Sequence, residues 1–243
     1  MDYTTYSSNV TGYDGEGQIT SALAYVTSED MPVFYTLEGQ DELTLSTAFQ
    51  NGLEKQNAQL QSINLLTQES VPEDAQGVLI MAPVTDISAD DADKLIAYLD
   101  KGGKILMTTA YMEDFAEEMP NLQKVLDYFG LAIEKGLVME GDSSMYYQQP
   151  AYLLPDVAYD TLTKGISGEK YIFMPYAQGI RSEEKEDVTL TPLLTSSEAS
   201  YSKLNMNQAQ NYEKEDGDAE GPFDVGIHAE KKLEEGTAGL TLF

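Results

Sequence analysis

The sequence predicts an α/β domain of three layers, built on a mostly parallel sheet and extended by a β-rich second half. Three observations carry that prediction. Strand-like and helix-like segments alternate from residue 17 to residue 133. The segment Gly77 to Pro83 is apolar throughout, as a parallel strand covered on both faces should be. Beyond residue 135 the texture changes: helical periodicity fades, tyrosines cluster and strand-like runs follow one another.

Taken in order, Gly17 to Ser28 carry Ile19, Ala22, Leu23 and Val26 at the spacing of one helix stripe. Pro32 to Leu37 is rich in β-branched and aromatic residues and reads as a strand. A polar turn, Glu38 to Asp41, leads to a helix expected from near Glu42, with Leu45, Phe49 and Leu53 as its stripe. Residues 59–66 and Gly77 to Pro83 give the second and third strands. The next helix has Ser88 as N-cap and Asp90, Asp91 and Asp93 near its positive end. Its stripe is Ala92, Leu95, Ile96 and Leu99, and Gly102-Gly103 stop it. Lys104 to Ala110 is strand four. Pro120 opens a helix with the stripe Leu122, Val125, Leu126 and Phe129, stopped by Gly130, and Leu131 to Ile133 begin strand five. Such alternation implies a parallel sheet with helices on both faces.

In the second half the tyrosines are Tyr146, Tyr147, Tyr152, Tyr159, Tyr171 and Tyr176. Strand-like runs occur at Lys170 to Tyr176, Val188 to Leu194, Phe223 to Ala229 and Thr237 to Phe243. We divide the chain into an α/β core, residues 1–135, and a β-rich extension, residues 136–243, that adds strands and long loops to the same domain. A separate small β-rich lobe is the alternative. The charged segments Ser182 to Asp187 and Glu213 to Glu220 read as solvated loops.

The 243 residues include 42 acidic and 14 basic side chains, a formal charge of −28, with Arg181 the single arginine. A phosphate backbone or an anionic lipid surface would be repelled, so no nucleic-acid partner is expected. Cysteine and tryptophan are absent, and His228 is the sole histidine. Cysteine nucleophiles, disulfides and two-histidine metal sites are therefore excluded. No segment reaches the roughly 18 apolar residues of a membrane span. The apolar ending Gly239 to Phe243 reads as a chain cut within or just after a strand, which leaves room for spans in a longer parent.

In a doubly wound sheet, ligands sit beyond the carboxyl ends of the strands. The loops there are Glu38 to Glu42, Pro83 to Asp86 and Tyr111 to Asp114, offering Asp41, Glu42, Asp86, Glu113 and Asp114. Such acids can line a pocket for a cation, an amine or a sugar, or simply cap helices. Glycine-rich phosphate cradles and the Gly-x-Ser-x-Gly elbow are missing, so no cofactor is expected. His228 sits between Ile227 and Ala229, which points it outward if those two face inward. Asp216 to Glu220 has the alternation of a calcium loop but lacks its glycine position and distant glutamate, so no metal is expected. The tyrosines could stack on sugar rings or pack on a half-buried sheet.

The ordered segments Glu16 to Thr27, Pro32 to Leu37 with Gly39 to Glu42, Val71 to Ala75, Ile80 to Pro83, Leu95 to Leu106, Phe173 to Ala177, Thr191 to Ser197 and Gly221 to Val225 together resemble the extracytoplasmic domain of GldG-like proteins. These gliding-motility proteins are auxiliary components of uncharacterised ABC-type transport systems. The turn after strand one departs from the Gly-His-Gly-Glu common among them and reads Gly39-Gln40-Asp41-Glu42. The resemblance implies a flavodoxin-like or glutamine-amidotransferase-like three-layer domain, related to one shared with intraflagellar-transport proteins. It implies a membrane-anchored parent, held by segments outside this sequence, with the domain on the extracytoplasmic side. An ABC permease and its ATPase would be its partners. The amidotransferase-like architecture needs a cysteine nucleophile for its chemistry, so a non-enzymatic binding role is expected. Gly39, Glu42, Asp86 and Glu113 are the candidate contacts. The alternative is a carbohydrate-binding or carbohydrate-processing domain that uses a carboxylate pair.

Overall fold

The computed structural model describes residues 31–166, 171–204 and 212–243. The helix expected over Gly17 to Ser28 lies outside the described residues. The first half contains β1 (Val33–Leu37), α1 (Thr47–Lys55), β2 (Gln59–Ile63), β3 (Ala75–Met81), α2 (Ala89–Leu99), β4 (Lys104–Thr108), α3 (Phe115–Glu118), α4 (Pro120–Tyr128) and β5 (Leu131–Ile133). The second half contributes β6 (Leu137–Met139), β7 (Tyr152–Leu153), β8 (Asp156–Val157), β9 (Met174–Pro175), β10 (Ile180–Ser182), β11 (Val188–Thr195), β12 (Tyr201–Lys203), β13 (Ala219–Glu220), β14 (Asp224–Lys232) and β15 (Thr237–Leu242). Among the described residues no helix is long and apolar enough to cross a membrane.

The main sheet runs β2-β1-β3-β4-β15-β14-β10-β5. Its first five strands are parallel neighbours. Thereafter the pairing is antiparallel, and β11 lies along β14 and reaches β8. The fold is thus mixed α/β with a parallel centre. β15 fills the middle of it, with Leu240 opposite Ile105 on one side and Ala229 on the other.

Local chemistry fixes the helices. Ser88 and Asp91 form a reciprocal capping box that starts α2. Lys94 then ties the helix to the sheet edge, reaching the Leu65 carbonyl at 2.7 Å and Asp90 at 2.7 Å. The helix expected from Glu42 begins five residues later. Ser46 is the cap, its hydroxyl accepting from the Phe49 amide at 3.2 Å. Leu45 is buried ahead of the helix, and Phe49 stays 39% exposed. The residues between Glu38 and Leu45 make a loop whose amides and carbonyls are used by its neighbours, as described below.

The core lies where α2 and α4 cover one face of the sheet. Leu95, Leu99, Leu122, Val125 and Phe129 meet Val78, Ile80, Met107, Leu240 and Leu242, all essentially inaccessible. Each such side chain contributes about 1.5–3 kcal/mol by burial. Right-handed connection places α1 on the opposite face, and it carries no buried residue. A second cluster, Val138, Leu153, Leu193, Leu194 and Val225, organises the extension. There the strand expected over Lys170 to Tyr176, of which Lys170 lies outside the described residues, is limited to β9.

The segment with calcium-like spacing is used internally. Asp218 accepts from the Leu204 and Glu215 amides at 3.0 and 2.8 Å and lies 3.9 Å from buried Lys203. Lys203 also donates to the Glu213 carbonyl at 2.8 Å.

Truncating the central strand tests this arrangement. Leu240→Ala should lower the urea-derived unfolding free energy by about 2–5 kcal/mol. A loss below about 1 kcal/mol would place Leu240 outside a closed core.

Candidate functional site

The strand order reverses between β1, which leads to β2, and β3 on its other side. At such a switch point the two outgoing loops part and leave a crevice beyond the carboxyl ends. Here the loops are residues 38–46 and 82–88. Gly39 has φ +118°, Asp41 +55° and Ala82 +43°. A Cβ at Gly39 would stand 3.1 Å from the Asn64 amide nitrogen, in a conformation that side chains disfavour. Left-handed non-glycine residues cost about 1–3 kcal/mol each and persist where neighbours hold them. The hold is visible: Val84 and Thr85 amides donate to the Gln40 carbonyl at 3.0 and 3.2 Å, and the Leu43 amide donates to Met81 at 2.8 Å.

Glu42 folds back on this turn. Its Oε2 accepts from the Gly39 and Gln40 amides at 3.2 and 3.1 Å. Its Oε1, and Oε1 of Gln40, are buried without a hydrogen-bond partner among the described residues. Gln40 is 5% exposed. Buried acceptors left open are rare and costly, and what satisfies them is an N–H or O–H donor. A cleft of about 230 Å³ lies beside Glu42, lined by Glu38, Thr44, Leu45, Gln50 and Leu60 among others.

The neighbouring loop places Asp86, whose carboxylate is turned onto α4. It accepts from the Asn121 amide at 2.9 Å, the Asn121 side chain at 2.8 Å and the Leu122 amide at 3.0 Å. α4 begins at Pro120, and Met119 provides no side-chain cap, so Asp86 caps the helix from a distance. Glu113 is exposed on the loop after β4. Beside it Asp114 caps α3 and pairs with Lys135, whose ammonium holds that carboxyl below its ordinary range. Gly39 and Glu42 thus share one turn, the Gln40–Val84 bond ties it to the loop of Asp86, and Glu113 stands one strand further along.

Sequence reasoning missed the apolar residues of these loops. Leu66, Leu43, Val84 and Tyr111 are 63, 65, 60 and 38% exposed. They follow β2, β1, β3 and β4 respectively, which is the strand order across the sheet. No local pattern singled them out, because Leu66 follows Leu65 and Tyr111 stands between Ala110 and Met112; only the strand order brings the four together. Gln178 was missed as well. Its amide oxygen accepts from Met112 at 2.9 Å and its nitrogen donates to the Met112 and Glu134 carbonyls at 3.0 Å each. It pins the Tyr111 loop to the start of the extension.

With this geometry in place, sequence comparison is decisive for the family. Residues 31–235 match the family described as ABC-type uncharacterized transport system. The chain belongs to this family of ABC transport auxiliary proteins. Among curated proteins none matches it. Of solved structures, the mmIFT52 N-terminal domain is similar at TM-score 0.60 and 14% identity, over 87% of this chain and 85% of that one. That likeness concerns the fold alone. The cold-adapted beta-galactosidase from Rahnella sp. R3 superposes at TM-score 0.44 and 12% identity, over 92% of this chain and 30% of that one, a level that carries no argument.

In this ABC auxiliary domain His228 is half-buried on β14. Ile227 and Ala229 are in the core, and Nδ1 of the imidazole lies 2.9 Å from the Thr241 hydroxyl. Burial pulls the imidazole below its ordinary value near 6.5, and Lys104 adds to this while Glu230 and Asp160 oppose it.

Two outcomes are expected. Asp86→Ala should cost about 2 kcal/mol in urea unfolding, because three donors at the start of α4 lose their acceptor; a change within about 0.5 kcal/mol would sink the distant-cap assignment. For His228, the unfolded chain takes a proton near pH 6.5 and the folded chain takes it only at lower pH. The unfolded state therefore binds more protons in that window, and stability falls as pH drops below about 6.5 until the folded group also titrates. The single imidazole should titrate below its ordinary value by NMR, and His228→Gln should flatten this part of the pH profile. A midpoint at or above the ordinary value would contradict it.

Proposed function

We propose that this chain is a non-enzymatic interaction domain of an ABC transport auxiliary protein, displayed on the extracytoplasmic side and docked on the permease of its system. The reading rests chiefly on one observation. Four successive strand-end loops each raise one large apolar side chain, Leu66, Leu43, Val84 or Tyr111, into solvent. Large apolar side chains exposed on adjacent loops among polar residues support a protein contact there. The loops of Leu43 and Val84 are tied to each other by backbone bonds, so that part of the surface is formed in advance and little ordering opposes docking.

Gly39, Glu42, Asp86 and Glu113 are the positions we assign to this contact. Gly39 and Asp86 act through the turn and helix they hold in place. Glu42 likewise acts through the turn it holds, and Glu113 supplies a negative rim that a basic patch on a partner would meet. The cleft beside Glu42 gives a small polar ligand a place to sit. A catalytic reading finds less support: there is no cysteine, Asp86 is occupied by α4, and His228 is bonded to Thr241.

The test is purification of the full-length parent from membranes. The ABC permease and ATPase should accompany it, and Leu43→Glu combined with Val84→Glu should reduce their recovery about tenfold or more while the melting temperature stays unchanged. External protease should cleave the domain in osmotically intact cells. A parent recovered without transporter subunits, or a double variant that retains them fully, would overturn the docking surface. Protection from external protease would overturn the sidedness.

A further inference from the structure

The two-stranded β7–β9 pair has an inner and an outer face. Leu153 and Met174 are register partners and point into the second core cluster. Tyr152 and Pro175, the next partners, lie on the other side. Around Tyr152 the rings form an edge-to-face chain. Tyr152 to Tyr176 is 5.4 Å between centroids, Tyr152 to Phe173 is 5.5 Å, and Phe173 to Tyr147 is 6.3 Å. Tyr147, Phe173 and Tyr176 remain 55, 51 and 50% exposed. In a solvated domain so much ring surface calls for a partner.

The platform is built rather than incidental. Tyr176 and Gln148 hold left-handed φ values of +60° and +65°. The Tyr176 amide donates to the Ala151 carbonyl at 2.9 Å and the Tyr147 amide to Tyr152 at 2.8 Å. The Tyr152 and Tyr176 hydroxyls are 3.3 Å apart, and the Tyr212 hydroxyl donates to the Gln149 amide oxygen at 3.0 Å.

The chemistry of the lining selects the occupant. In a chain of charge −28, residues 143–155 and 171–180 contain no charged side chain. An anionic ligand would meet the field of the whole chain, and a cationic one would find no carboxylate within these two segments. What the platform offers is ring surface edged by neutral groups that both donate and accept: tyrosine hydroxyls and the amides of Gln148 and Gln149. A pyranose has the matching surface, with C–H bonds on its face and hydroxyls around its rim.

We propose that the outer face of the β7–β9 pair is a binding platform for a neutral carbohydrate, with Tyr147, Tyr152, Phe173 and Tyr176 as stacking surfaces. This site is separate from the strand-end loops and stands on its own observations.

The experiment titrates the chain with neutral hexasaccharides of glucose and of N-acetylglucosamine, with heparin as an anionic control. Tyrosine emission is usable because no tryptophan masks it. Saturable binding of a neutral sugar with Kd of about 0.1–5 mM is expected, and none of heparin. Phe173→Ala with Tyr147→Ala should weaken it about tenfold or more while the melting temperature is retained. Ring-proton NMR shifts on the unaltered chain give a second readout, should the double variant fold poorly; they should concentrate on these four rings. No saturation by either neutral sugar at about 10 mM, shifts located elsewhere, heparin binding as tight as the sugars, or an unaffected double variant would each overturn the proposal. So would sedimentation showing that the face joins two copies of the chain and is lost in the variant.

Discussion

The rest of the structure depends on β15 lying between β4 and β14. Its parallel pairing with β4 completes the five-strand centre, and its antiparallel pairing with β14 turns that centre into the mixed half of the sheet. Ala238, Leu240 and Leu242 are wholly buried under the helices. Beyond the strand, the Phe243 amide donates to Met107 and its carbonyl accepts from Thr109. The loop after β4, which carries Tyr111 and Glu113, is therefore set by residues from the far end of the sequence. Without that strand β4 would have an open edge, and the α2–α4 layer would cover half a floor.

Positioned by this sheet, the strand-end loops share one physical character. Each is tipped with an exposed aliphatic or aromatic side chain, and those after β1 and β3 are tied to each other by backbone bonds and bent through left-handed residues. Their acids serve two purposes. Asp86 and Asp114 are bound into helix starts and Lys135, whereas Glu113 faces solvent. The large negative charge is thus partly structural. The assignment to an ABC transport auxiliary family agrees with a domain whose exposed features suit recognition.

Much of this was legible in the residues, and the exceptions have physical reasons. β1, β3, α2, β4 and α4 are strongly patterned, so each appears where its period places it; α2 starts at its Ser88 cap, whereas β3 runs two residues earlier than expected and β4 ends two residues sooner. α1 was placed early because Leu45 fits a helical stripe, yet a capping hydroxyl at Ser46 and the use of residues 38–45 in loop bonds decide otherwise. The short strands of the extension carry two or three residues each, too few for any period to register. At the candidate site, glycine and acid identities drew attention to the loops after β1, β3 and β4. The distant cap made by Asp86, the amide bridge of Gln178 and the row of apolar tips required strand order, which no local pattern encodes.

The sequence separation between β4 and β15 also bears on how the domain comes into being. Residues 104–108 must wait for residues 237–242 before the parallel centre can close. Parallel pairing across such a distance is paid for in chain entropy before any contact rewards it, which makes the final step slow and cooperative. During synthesis, the earlier strands and helices would stand as an open half-sheet with an apolar edge. A chain of this design needs either protection of that edge or rapid completion, and its dense negative charge offers one form of protection by keeping neighbouring nascent copies apart.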